Sequence, residues 1–272
     1  MNIPAFVQSE GNTFTITVPI GMQLRETVAL LVPHGASVVI TSEEDSQAMV
    51  SLTLEGAASV DVTVQANATL SVVSLQTDPG VVRHKNTVSD GGTVHVQNIS
   101  LAAEVDHELR SFLQGEHAVS NVDWIFYAKH AEKHRISARN IFDAKYGGGE
   151  IIMKGVAEHT AHVFCDGMIE IGLQGGGTDT YLTENVLMLD GTAKVDAIPG
   201  LEIKTNDVKA SHSATVSKVT PEDLFYFATR GIDETEARQM YIQGFLGDLT
   251  AKITDTAVQD ILLEQIEQKL IA

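Results

Sequence analysis

The most restrictive feature of the sequence is a long stretch with the alternation of β-strands and almost no helical pattern. Between Thr13 and Lys218, short runs alternate apolar and polar residues, which is the pattern of a strand with one buried face. Typical runs are TFTITV (Thr13–Val18) and ASVVIT (Ala36–Thr41). Gly, Asn, Asp and Ser separate the runs, and the strands resume at Thr93 after a turn-rich segment. We therefore expect many short strands paired in sheets.

A weak repeat indicates how these strands are arranged. Asp-Gly dipeptides, which are typical of turns, occur at 90–91, 166–167 and 190–191, and the last two lie beside similar strands. Weak repetition of this kind, at a spacing of roughly 20–25 residues, is typical of a stacked solenoid. The composition suits its interior, since 43% of residues are hydrophobic but only 6% are aromatic. The pattern alone leaves a β-sandwich equally open.

The end of the chain changes to helix. Thr220 is a predicted N-cap followed by Pro221, and the first helix is expected to end at Gly231. Asp233 is predicted to cap a second helix that stops at Gly247, and a third helix is predicted over about residues 255–270. The predicted division is a β core over residues 1–219 and a helical subdomain over residues 220–272.

Charge and cysteine content exclude several classes of function. The 272 residues include 18 basic and 36 acidic residues, for a net charge of −18, which argues against nucleic acid and anionic membranes as partners. The single cysteine excludes a disulfide within the chain and a metal centre built only from this chain's cysteines. No signal peptide and no bilayer-spanning segment are recognised, so we expect a cytoplasmic protein.

The segment Leu201–Phe245 carries a specific resemblance. It resembles the C-terminal signature of the SufB/SufD family of iron–sulfur cluster assembly proteins. The matching elements are PGLEI (199–203), DVKASH (207–212), Ala214-Thr215, Leu224-Phe225-Tyr226, Arg230-Gly231-Ile232, Ala237 and Gly244-Phe245. They form an ordered series along the segment. Residues 95–200 match in general character, and the part of the chain before them matches only weakly. The chain resembles a short, SufD-like form expected to lack the family's helical N-terminal region.

The resemblance implies a fold, a function and partners. The implied fold is mainly β: a right-handed parallel β-helix core with a small C-terminal α-helical subdomain. The implied function is that of a non-enzymatic component of iron–sulfur cluster assembly. It would dimerise through its β-helix, with a SufB-like protein or a second copy of itself. It would bind a SufC-type ABC ATPase through its C-terminal helices. No stably bound cofactor is implied, only a transient iron ion or iron–sulfur cluster at a dimer interface.

His212 is the candidate ligand for iron or a cluster, because it matches the family histidine near the subunit interface. Imidazole binds iron readily, but a single ligand per chain cannot hold a cluster. The alternative is a histidine at a strand end that hydrogen-bonds its neighbourhood. Cys165 is the low-weight alternative ligand. Aligned from His212, the SufB cysteine falls near Asn185, and Ser213 stands where SufB has a glutamate. We therefore interpret Cys165 as a small buried hydrophobe.

Five residues are predicted to contact the ATPase partner: Phe225, Tyr226, Arg230, Gly231 and Phe245. The alternative is a structural role at the helix junction, or a hydrophobic seam against the β core for Phe225 and Phe245.

Four histidines, His130, His134, His159 and His162, have spacings that leave metal binding as a minor hypothesis. We interpret the first two as lying in a solvated charged segment, and the last two as pointing to opposite faces. The Gly147–Gly149 and Gly175–Gly177 runs lack the residues of a phosphate loop and are interpreted as β-helix corners.

Two other functions remain open. One is a structural homodimer of the family that has lost cluster chemistry, since the SufB-type cysteine is missing. The other is a β-helix enzyme acting on polysaccharide, which the missing signal peptide and the low Lys and Arg content disfavour.

Overall fold

The alternating runs fold into two sheets whose strands are stacked along one axis. The structure is a computed structural model that describes residues 6–253 and 256–271. Sheet A contains β1 (Val7–Glu10), β2 (Thr13–Val18), β4 (Ala36–Ser42), β6 (Ala58–Val64), β8 (Gly80–Val88), β10 (Glu104–Leu113), β12 (Lys133–Phe142), β14 (His162–Ile171), β16 (Lys194–Ala197) and β17 (Gly200–Ile203). Sheet B contains β3 (Val28–Val32), β5 (Gln47–Leu54), β7 (Thr69–Gln76), β9 (Thr93–Ser100), β11 (Val119–Ala128), β13 (Gly148–Ala157), β15 (Asp179–Met188) and β18 (Lys209–Lys218).

The connectivity is that of a parallel β-helix. The chain alternates between the two sheets, and each strand pairs in parallel with the strand one coil earlier. There are two departures: β1 pairs with β2 in an antiparallel hairpin, and the consecutive strands β16 and β17 both lie in sheet A and both pair with β14. About eight coils result, so the predicted parallel β-helix is confirmed over the alternative sandwich.

The coil length is not constant. Val28 pairs with Val50 in an early coil, whereas Gly148 pairs with Asp179 in a late coil, so the later coils contain more residues. The predicted repeat therefore holds only for the early coils. Asp166-Gly167 is not a turn, because both residues lie within β14. The turn-rich segment before Thr93 contains β8, a strand that the sequence pattern did not reveal.

Three helices follow the last strand: α1 (Pro221–Ala228), α2 (Glu234–Thr250) and α3 (Thr256–Ile271). Thr220 caps α1 as predicted, in a reciprocal capping box with Asp223. The Asp233 side chain accepts the Glu236 backbone N–H at the start of α2. The predicted stop at Gly247 is wrong, since α2 continues to Thr250. Within the described ranges, no helix is long and apolar enough to cross a bilayer.

The helices bury the outer face of sheet B. Ile242 and Leu246 of α2, together with Leu262 and Ile266 of α3, form one cluster with outward-facing residues of the sheet. Those sheet residues are Val73, Leu75, Ile99, Ile125, Tyr127, Val156 and Leu187. Strands such as β11 are therefore buried on both faces at their C-terminal ends. The division at residue 219/220 stays a prediction.

The coil interior is mostly aliphatic, with Trp124, Phe126 and Phe142 among its aromatic members, and it also holds an unusual group of histidines. His84, His107 and His134 are at most 3% exposed. Both ring nitrogens of His84 and of His107 lack a hydrogen-bond partner among the described residues. Burial lowers the pKa of His84 to about 4, although the nearby Asn86 amide opposes the shift. Burial, helped by the Lys269 charge, lowers the pKa of His134 to about 3. These imidazoles are therefore neutral near pH 7.

The buried histidines predict acid sensitivity. As pH falls from 6.5 towards 4, His84 becomes protonated in the unfolded chain but stays neutral in the native protein. The free energy of unfolding therefore decreases. The loss should be on the order of 3 kcal/mol for His84. Urea unfolding at pH 7 and pH 4.5 should show a smaller acid loss for His84→Leu than for the wild type. His117→Asn, at an exposed corner, is the control and should behave like the wild type. An equal acid loss in His84→Leu would contradict the assignment.

Candidate functional site

Sheet B ends at β18, and this end of the β-helix is open. β18 pairs with β15 on one side, and it is the terminal strand of its sheet among the described residues. Its ten residues are all exposed or half-buried. An unpaired strand edge presents N–H and C=O groups that can pair with another chain.

His212 lies at the mouth of this open end. It is aligned with Leu182 of β15, whose side chain is fully buried in the coil interior. Register neighbours in a parallel ladder point to the same face, so His212 lies on the interior-facing side of β18. No further coil covers it in the described part of the chain, and its side chain is exposed. The imidazole can therefore be reached by a ligand or by a partner that caps this end.

Glu184 is the functional candidate that sequence reasoning missed. It lies one coil below the mouth, aligned with Ala214, and is fully buried. Its Oε1 accepts the Gly167 backbone N–H at 2.7 Å, while its Oε2 has no hydrogen-bond partner among the described residues. Burial raises its pKa to about 7, against the Gly167 hydrogen bond, which lowers it. The available signal was one acidic residue at an inward position between Leu182 and Val186.

Cys165 lies in the same part of the interior. It is fully buried and belongs to the main hydrophobic core, which is the environment expected of a small buried hydrophobe. Burial, and next the negative charge of Glu184, raise the pKa of its thiol well above the ordinary value. The thiolate is the form that binds metals and attacks electrophiles, so this cysteine is poorly suited to either role.

The five predicted partner-contacting residues do not form one surface. Phe225 and Tyr226 on α1 are 69% and 58% exposed. The Arg230 guanidinium lies 5.4 Å from the centre of the Tyr226 ring. We call Phe225, Tyr226 and Arg230 the α1 patch. Gly231 adjoins it with a left-handed φ of 80°, which ends the helix. Phe245 instead packs, partly buried, against the helix–sheet cluster, beneath the Lys154 ammonium at 4.8 Å.

The structure shows the environments of the four histidines of the minor metal-binding hypothesis, which are His130, His134, His159 and His162. His134 is not solvated, because it is buried with its Nε2 2.8 Å from the Ala102 carbonyl oxygen. His130 stacks on His159 of the next coil, with ring centres 4.8 Å apart. His162 is an exposed residue that pairs with Asp196. The two glycine runs lie at and next to the corners that precede β13 and β15, as predicted.

Burial raises the pKa of both Glu184 and Cys165, and the shift of Glu184 gives the clearer prediction of pH-dependent stability. The folded pKa is raised to about 7, so stability is lost as pH rises from the unfolded value of 4.5 through 7. Glu184→Gln should remove this loss. Between pH 4.5 and pH 8.5, the free energy of unfolding of the variant should therefore rise by roughly 2–3 kcal/mol relative to that of the wild type. Chemical unfolding at both pH values measures it.

Glu170→Gln is the control for this substitution, because Glu170 is a partly exposed carboxylate paired with Arg139. If the stability difference between Glu184→Gln and the wild type were independent of pH, the raised pKa would be wrong.

Comparison with known proteins points to one family. Residues 20–245 match the family model described as SUF system FeS cluster assembly, SufBD core domain. The chain is 38% identical over 105 residues to the iron-sulfur cluster assembly protein SufD of Escherichia coli, covering 39% of this chain and 25% of that protein. It is 38% identical over 111 residues to an iron-sulfur cluster assembly SufBD family protein of Mycobacterium tuberculosis, covering 40% and 28%.

A Staphylococcus epidermidis protein of the same description is 30% identical over 141 residues, covering 52% of this chain and 30% of that protein. The chain thus spans between a quarter and a third of the length of these curated relatives.

Proposed function

Because the chain belongs to the SufBD core family, we propose that it is a non-enzymatic component of iron–sulfur cluster assembly. The observation that carries the proposal is the family match over residues 20–245, which includes His212 and α1. The names of the relatives in Escherichia coli and Mycobacterium tuberculosis support the same process. A cytoplasmic location and a scaffolding role, with no reaction of its own, are part of this proposal.

The open edge of β18 supports dimerisation through the β-helix. A two-fold axis beside β18 would pair the strand antiparallel with its copy and continue the sheet into the second chain. A SufB-like protein with a similar terminal strand would pair in the same way. Either arrangement would supply hydrogen-bond partners for the backbone N–H and C=O groups of β18 that face away from β15.

His212 supports iron or cluster binding at that interface. Its imidazole lies at the mouth that a dimer would enclose, so a partner could add further ligands. Ser213 next to it offers no carboxylate, and the Cys165 thiol is buried and protonated. Any cluster would therefore depend on ligands from the partner and would be held transiently.

The α1 patch supports docking of a SufC-type ABC ATPase. It combines two exposed aromatic rings with an arginine, the residue types that dominate the energies of protein interfaces. Gly231 fixes the chain direction at its edge, and Phe245 supports the helix pair from the sheet side. Phe245 would thus act on docking through the position of α2.

The docking proposal predicts a specific loss of binding. Tyr226→Ala combined with Arg230→Glu should weaken the complex with a co-expressed SufC-type ATPase by at least about tenfold. Biolayer interferometry on the purified proteins measures it. Leu173→Ala is the control. Leu173 is a 75% exposed apolar residue in a β-helix corner and is distant in sequence from the α1 patch. Unchanged affinity in the double variant, with a native melting temperature, would contradict docking at the α1 patch.

The dimer proposal predicts a charge-sensitive interface. Val216 on β18 is 46% exposed, and Val216→Asp would force a carboxylate to lose water when a second strand covers this edge. Sedimentation equilibrium should show a weaker dimer for this variant than for the wild type. Val81→Asp is a matched control, because Val81 is also 46% exposed but lies on β8 of sheet A. If the two variants weaken the dimer equally, β18 is not the interface.

A second candidate function is a structural homodimer without cluster chemistry. The buried, protonated Cys165 and the serine beside His212 favour it. Anaerobic equilibrium dialysis of the dimer against Fe²⁺, with the wild type and His212→Ala side by side, separates the two candidates. Less bound iron per dimer in His212→Ala than in the wild type supports the assembly role, whereas equal bound iron in both supports the structural role.

A further inference from the structure

One corner of the β-helix brings together residues that are far apart in the sequence. Ala128, Ala157 and Met188 are register neighbours at the ends of β11, β13 and β15. After each of these strands the chain turns, so the residues two positions later form a column through three successive coils. Those residues are His130, His159 and Asp190. His130 and His159 both adopt a left-handed backbone with φ of 56°.

Three potential metal ligands converge at this corner. The carboxylate of Glu158, the imidazole of His159 and the carboxylate of Asp190 each place one donor atom within 4.8 Å of the other two. Donor atoms around a first-row metal are roughly 3–3.5 Å apart, because each lies about 2.0–2.2 Å from the ion. Small side-chain rotations would therefore close the site.

A second layer of contacts orients the two carboxylates. Tyr127 donates its hydroxyl proton to Glu158 Oε2 at 2.5 Å. The His159 backbone N–H donates to Asp190 Oδ2 at 2.7 Å. Arg238 of α2 lies 3.4 Å from Asp190 Oδ1 and donates to the Leu189 carbonyl oxygen at 3.2 Å. Metal sites depend on such outer partners to hold their ligands in place.

The histidine column also fixes the His159 ring. Its plane is within 10° of the His130 ring plane, at 4.8 Å between centres. A nitrogen lone pair lies in the plane of its ring, so two parallel rings this far apart cannot both point at one ion. His130 is therefore a positioning residue and not a ligand.

We propose that Glu158, His159 and Asp190 bind one divalent first-row transition metal ion, with water completing its coordination. Two carboxylates and one imidazole suit Mn²⁺, Fe²⁺ or Zn²⁺ better than soft monovalent ions. The two negative charges favour a dication, whereas Lys129, 4.0 Å from Glu158, and Arg238 oppose it. The site is separate from His212 and does not depend on the proposed assembly role.

The competition with Arg238 gives the site a structural consequence. The ion and the guanidinium both interact with Asp190, so binding would loosen the Arg238 contact between α2 and the β-helix. In exchange, the ion would join Glu158 and His159 of one coil to Asp190 of the next. Removing the guanidinium should therefore strengthen metal binding, an effect that a purely structural cluster would not produce.

The test is titration of the untagged, chelator-treated full chain with Zn²⁺ and Mn²⁺ by isothermal calorimetry. One equivalent of Zn²⁺ should bind, and more tightly than Mn²⁺. His159→Asn, which tolerates the left-handed backbone, and Asp190→Asn should each weaken binding at least about tenfold. Arg238→Gln should tighten it. His162→Asn is the matched control and should change nothing, because His162 pairs with Asp196 at 2.8 Å but is not part of a three-ligand group among the described residues.

Three results would overturn the proposal: no stoichiometric binding by the wild type, unchanged binding in both His159→Asn and Asp190→Asn, or an equal loss in His162→Asn. Circular dichroism of each variant shows whether it is folded. Where Asp190→Asn fails to fold, the Co²⁺ absorption spectrum of His159→Asn against the wild type decides the same question, since loss of a nitrogen ligand changes that spectrum.

Discussion

The whole molecule depends on parallel hydrogen bonding between successive coils. Each strand lies directly above the equivalent strand of the previous coil, at the spacing of about 4.8 Å that backbone pairing imposes. Side chains separated by a full coil of sequence thereby become vertical neighbours. The aliphatic columns of the interior, such as Ile16, Ile40 and Val62, follow from this stacking. So do the stacked imidazoles of His130 and His159.

The same stacking gives the molecule two unlike ends. At the N-terminal end, sheet A begins with the antiparallel β1–β2 hairpin, so its edge strand β1 is antiparallel to the rest of the sheet. The C-terminal end stops at β18, with no strand beyond it in the described part of the chain. His212 and the buried Glu184 both lie at this second end, one at the mouth and one a coil below. The candidate chemistry and the candidate interface therefore coincide.

Local signals in the sequence predicted local structure well, but they could not predict the pairing register between strands of successive coils. Thr220 and Asp233 predicted their helices because a cap needs only residues three positions apart. The period-two alternation found most strands for the same reason. The interpretation of His134 as solvated was wrong because its charged neighbours in sequence do not decide which way a strand residue points. Asp166-Gly167 resembled a turn, but β12 extends past it and pairs both residues within a strand.

The residues of the candidate sites show the same difference between local signals and register. His212 was identified through an ordered motif, whereas Glu184 and the Glu158–His159–Asp190 group required the coil register. Because the coils lengthen along the chain, no fixed repeat could align Asp190 with His159. Coverage by the helices is also invisible to strand periodicity. It makes the outward Ile125 and Tyr127 as buried as their inward neighbours.

The candidate interface and the exposure of His212 both require β18 to be a terminal strand, bonded on one side and open on the other. Residue-resolved amide hydrogen exchange, measured on the monomer at low concentration, tests it most directly. In a parallel edge strand, alternate residues direct their N–H groups to the neighbouring strand. We predict slow exchange at every second residue of β18, fast exchange at the others, and slow exchange at both sets once the dimer forms. Uniform protection of β18 in the monomer, or uniform fast exchange, would contradict the account.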